Sequence, residues 1–88
     1  MIINLEDGYQ IDGEKYLRNG SMLVFVAEST HDKPRLFVCD MLADGSPDFD
    51  NLLIAEDVEN WEGTSWEHGS EWDMSFSTMA QMLKIMWG

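Results

Sequence analysis

Apart from carboxylates, this chain carries few side chains able to do chemistry. It has two histidines, His31 and His68, and one cysteine, Cys39. His68 lies between Glu67 and Glu71, and with Asp73 these outline a metal site. Without a second histidine or a cysteine nearby, the set falls short of the combinations that hold zinc or another transition metal. The run Asp44-Gly45-Ser46-Pro47-Asp48-Phe49-Asp50 has the oxygen density of a calcium loop. It lacks the order of ligands, the central glycine and the closing glutamate of an EF-hand, and it reads as an acidic turn. The glycines stand singly in turns, so there is no phosphate-cradling loop, and no serine occupies a nucleophile elbow. Carboxylates are plentiful, but acid–base catalysis needs environments that pull two pKa values apart, which a solvated acidic run does not supply. The chain is therefore expected to be non-enzymatic, with no cofactor and no metal.

The carboxylates are informative through their placement. Seventeen acids against five lysines and arginines give a formal charge of −12 on 88 residues. Ten of those acids fall between Asp44 and Asp73, a stretch with no lysine or arginine: Asp44, Asp48, Asp50, Glu56, Asp57, Glu59, Glu62, Glu67, Glu71 and Asp73. Solubility alone asks a small domain for a net charge of only about 2–8. Three of the four tryptophans, Trp61, Trp66 and Trp72, are threaded through the same stretch. Tryptophan is enriched among the residues that anchor protein interfaces, and it also fills cores, so at least one of the three is expected to be buried. The negative charge opposes binding to DNA, RNA or anionic lipid and favours a basic partner.

The elements that position these groups follow from turn signals and hydrophobic periodicity. Asp7-Gly8, Asp12-Gly13, Asn19-Gly20 and Asp44-Gly45 are turn dipeptides. Between them, Met1–Leu5 and Tyr9–Ile11 read as short strands, with Lys15–Arg18 as an extension of the second. Ser21–Glu28 and Arg35–Leu42 read as two central strands joined by the polar turn Ser29–Pro34 into an antiparallel hairpin. Cys39 lies in the second of these, and a buried, inert thiol is expected. From Phe76 the apolar residues Phe76, Met79, Ala80, Leu83, Met86 and Trp87 fall on one helical face, with Asp73, Ser75 or Ser77 as candidate caps. Asn51–Trp61 fits either a strand or a helix, with the strand preferred. The predicted fold is one α+β domain: a small antiparallel sheet of four or five strands with a C-terminal helix packed on one face.

These features predict a small acidic binding protein acting as an inhibitor or decoy. Its carboxylates would occupy the basic groove of a nucleic-acid-binding protein, since duplex DNA presents one charge per about 1.7 Å of axis and a groove built for that density attracts a comparable surface. In size and charge the chain resembles the small acidic inhibitors that phages direct at host nucleases, anti-restriction and anti-CRISPR proteins among them. The base-free acidic stretch with its interleaved tryptophans gives the expected partner-binding set: Asp44, Asp48, Asp50, Glu56, Asp57, Glu59, Trp61, Glu62, Trp66, Glu67, Glu71, Trp72 and Asp73. The competing expectation is an adaptor or homo-oligomer that uses the apolar, methionine-rich helix, with Met82, Ile85 and Trp87 widening its apolar face enough for a symmetric dimer. A single cysteine, no apolar run of membrane-spanning length and no signal-peptide core predict a cytoplasmic protein.

Overall fold

The turn dipeptides and the short β-branched runs between them fold as an antiparallel sheet. A computed structural model of the chain describes residues 1–55, 65–69 and 72–87. Its elements in order are β1 (Ile2–Asn4), β2 (Tyr9–Asp12), β3 (Leu17–Asn19), β4 (Met22–Ser29), β5 (Arg35–Asp40), β6 (Leu53–Ala55), β7 (Glu67–His68) and α1 (Phe76–Trp87). The class is α+β, a curled sheet of seven strands among the described residues, rather than the four or five expected, forming a half-barrel with one C-terminal helix.

The expected hairpin is the centre of this sheet, with Met22–Ala27 of β4 paired to Arg35–Asp40 of β5. The other edge of β4 is divided. Met22, Leu23 and Val24 pair with β3, while Glu28 and Ser29 pair with β2. Lys15–Arg18 therefore does not extend the second strand. The Asp12 carbonyl accepts the Lys15 N–H at 3.0 Å, and the Asp12 side chain accepts the Glu14 N–H at 3.0 Å. The chain turns there and returns to β4 further along as β3. Gly13 makes the turn sterically feasible: a Cβ on it would lie 3.1–3.2 Å from Met1 Cε, Phe49 Cζ and Ile3 Cδ1. Those neighbours come from the chain terminus, β1 and the β5–β6 connection, which meet around this buried glycine.

Because side chains alternate across a strand, the register gives each face its own core. Leu23, Phe25 and Ala27 of β4 join Ile11 of β2 and Phe37 and Cys39 of β5 inside the curl. Tyr16 and Phe49 pack on Phe25 at ring-centroid distances of 5.3 and 5.9 Å. Val24, with Leu17 of β3 and Leu36 of β5, faces outward and is covered by Phe76, Met79, Ala80 and Leu83 of α1. The helix starts at a Ser75 cap, whose Oγ accepts the Thr78 N–H at 3.3 Å. Met74 just before the cap and Met79 in the first turns sit in the same outer cluster, the positions of a hydrophobic staple. Asn51–Trp61 resolves as a strand over Leu53–Ala55, preceded by a short 3-10 turn at Phe49–Asn51. Glu56–Trp61 lie outside the described residues.

The described apolar residues of the helix divide by position. Met79 is fully buried, whereas Met82 is 41% exposed and Ile85 81% exposed. Met79→Ala is expected to lower folding stability by about 2–5 kcal/mol, the range for emptying a packed core site. Met82→Ala should change it by less than about 1 kcal/mol. Urea unfolding monitored by circular dichroism measures both.

Candidate functional site

Three aspartates of the acidic stretch sit on the connection from β5 to β6. This segment folds back on the end of β5 through a Met41–Pro47 bridge and an Asp48 N–H to Asp40 carbonyl bond of 3.0 Å. Phe49 and Leu52 point into the inner core, which leaves Asp44 and Asp50 exposed and Asp48 half-buried. Two of the three also shape the turn. Asp44 Oδ1 accepts both the hydroxyl and the backbone N–H of Ser46, and these bonds hold its carboxyl below the usual carboxylate range. Asp48 Oδ2 accepts the Asn51 side-chain amide at 2.9 Å.

The other described members lie elsewhere. Glu67 is on β7 at the opposite edge, paired with Arg18 through backbone register and a 3.7 Å ion pair. Three strands stand between β7 and β6. Four strand intervals make an arc of roughly 19 Å, and charges more than about 8 Å apart are largely screened in physiological salt. Trp66 stacks on Phe76 of the helix at 5.2 Å and 12°, half-buried against the outer core. Trp72 packs on the same core, and Asp73 is exposed beside it. Both described tryptophans of the stretch are half-buried against the outer core rather than fully buried as expected, and Trp61 lies outside the described residues. Glu56, Asp57, Glu59, Trp61, Glu62 and Glu71 lie outside the described residues. Of the metal site sketched around His68, Glu71 is among these, and no group of metal-ligating side chains forms among the described residues.

Ion pairing leaves much of the acid uncompensated. Among the described residues the pairs engage Asp12 and Glu14 with the Met1 amine, Asp32 with Arg35 at 3.5 Å, and Glu67 with Arg18. Asp40, Asp44, Asp48, Asp50, Asp73 and Glu28 form no ion pair among the described residues.

One further feature had no clear sequence signal. The twelve-residue helix, about 18 Å long, packs on β3, β4 and β5, and among the described residues no β1 or β2 side chain joins that cluster. A trough runs along that boundary. One part, of 280 Å³, lies among Ile2, Asp12, Glu28, Trp72, Met74 and Met82. A second, of 810 Å³, shares Val26, Glu28 and Met82 with the first and continues to the β4–β5 turn. That turn is tied to β2 by the Tyr9 hydroxyl, which donates to Asp32 Oδ2 at 3.1 Å. The only signal for the trough in the sequence was the surplus of methionine around the helix.

The Asp32 carboxyl is held below the usual range, first by the Lys33 N–H, then by the Tyr9 hydroxyl, with Arg35 adding to both. A carboxyl depressed in the folded chain contributes stability above its unfolded pKa and loses it as pH falls through the folded value. Acidification below about pH 4 is therefore expected to destabilise the wild type more than Asp32→Asn. The urea midpoints of the two proteins at neutral and acid pH measure the difference.

Comparisons with protein-family models, with curated proteins and with solved structures find no match, so the site is defined by its own residues.

Proposed function

We propose that this chain is a non-enzymatic acidic binding protein that occupies the cationic groove of a nucleic-acid-binding protein and so acts as an inhibitor or decoy. The observation that supports this reading most is the acid left without internal counter-charge. Ten acids from Asp44 to Asp73 meet no lysine or arginine within that stretch. Of its described members only Glu67 takes part in an ion pair. Asp50 and Asp73 are exposed and form no ion pair among the described residues, which leaves them available to an incoming cationic surface, whereas carboxylates neutralised within the fold contribute little beyond it. A cytoplasmic, phage-type inhibitor acting on a host nuclease is the concrete form of the proposal. The helix-mediated adaptor or dimer stands as the second reading, supported by the exposure of Met82 and Ile85.

Competition separates the two. The chain is added to complexes of a basic nucleic-acid-binding protein, drawn from a panel of host nucleases, with labelled DNA or RNA. Under the decoy reading it displaces the nucleic acid, and reversing Asp50, Asp57, Glu59 and Glu62 to lysine abolishes displacement. Asp44 and Asp48 are left intact in that variant because they hold the turn. Displacement that survives the reversal would contradict the decoy reading of this charge, and a partner bound through Ile85 without displacing nucleic acid would establish the adaptor reading instead.

A further inference from the structure

The trough beside α1 has an apolar floor and a negative middle. Ile2, Val26, Trp72, Met74 and Met82 come together there, with Ile2 62% and Met82 41% exposed. Glu28 stands where the two parts of the trough meet, exposed and with no ion pair among the described residues. The charges at the two ends are mixed. Asp12 pairs with the Met1 amine near Lys15, and Asp32 pairs with Arg35 beside Lys33. From the level of Asp12 to the β4–β5 turn the trough spans roughly 16 Å, about three helical turns or five extended residues.

The geometry points to this trough as the docking site for a short amphipathic segment of a basic protein. The segment's apolar side chains lie over Trp72, Met74 and Met82, and an arginine or lysine sits beside Glu28. Charge complementarity selects this occupant: an acid at that position meets Glu28 and the field of a chain of net charge −12, and a cation is drawn by both. Unbranched methionine side chains adjust to an incoming apolar surface, and a tryptophan and a carboxylate lining the same trough suit a guanidinium. The inference rests on the basic-partner reading above and adds where on this chain the partner inserts.

The probe is a labelled amphipathic peptide of leucine and alanine with one central arginine, about 14 residues or roughly 21 Å as a helix. It is titrated into the full chain and followed by fluorescence anisotropy and amide NMR. Shifts are expected at Val26, Glu28 and Met82. Glu28→Lys and Met82→Glu, both surface changes, should each weaken binding roughly tenfold or more, with thermal melts showing that the variants fold. Asp40→Lys, an exposed change at the opposite end of β5 from the β4–β5 turn, should change binding by less than about twofold. Shifts absent from the trough, or affinity untouched by both trough variants, overturn the assignment. If Asp50→Lys alone abolishes binding, the trough assignment fails while the basic-partner reading stands. A peptide with central glutamate binding equally well removes the need for a cation and counts against both. Concentration-dependent shifts at Val26 and Met82 without peptide would place a second copy in the trough and also overturn the proposal.

Discussion

Strand β4 has a neighbour on every side, and the rest of the molecule is arranged by that fact. One edge belongs to β5, the other is split between β3 and β2, one face is covered by α1, and the opposite face is enclosed by the curl. Leu23, Val24, Phe25 and Ala27 are all essentially inaccessible. Each large side chain fully buried there contributes about 1.5–3 kcal/mol of transfer free energy, which matters in a chain with little core to spare. With that edge split between β2 and β3, the chain turns near Gly13 to pass from one to the other. The helix packs on the part of the outer face that β3, β4 and β5 present. The β1–β2 wing beside it lines the trough together with Trp72, Met74 and Met82.

Much of this was legible in the sequence, for identifiable reasons. The β4–β5 hairpin reads as two nearly continuous apolar runs because both faces of each strand are covered, so alternation is lost and length carries the signal. The helix is legible because Phe76, Met79, Ala80 and Leu83 fall on one face and a serine cap precedes them. The sheet has seven strands against the four or five expected because its shortest members leave almost no pattern. β7 is two residues of opposite chemistry, Glu67 and His68, held by backbone pairing to Arg18 and Leu17. β3 was hidden by its closeness to β2 in sequence. The return of the chain to the same strand edge is a tertiary event that local propensity does not encode.

The candidate site was legible in composition and much less so in arrangement. A charge count makes Asp44–Asp73 a single block, yet the fold sets Asp44, Asp48 and Asp50 at one edge of the sheet and Glu67 at the other. Aspartate also has local work here: Asp12, Asp32, Asp44 and Asp48 each accept hydrogen bonds that shape a turn. Part of the acidity is therefore the cost of building a turn-rich sheet from aspartates. The remainder, exemplified by exposed Asp50, Asp73 and Glu28, has no such local task among the described residues and is what the binding proposal draws on. Trp66 and Trp72 show the same economy, since both serve the outer core and Trp72 also lines the trough.

The central claim is that uncompensated carboxylates drive association with a basic partner, and the dependence of that association on salt tests it most directly. Affinity for a captured basic partner should be measured across a series from roughly 50 to 300 mM monovalent salt and plotted on logarithmic axes. Electrostatic decoy action predicts a steep linear loss, with affinity falling about tenfold or more between 50 and 200 mM, as for proteins that replace several phosphate contacts. A flat plot, with affinity held through the apolar surface alone, would contradict the account.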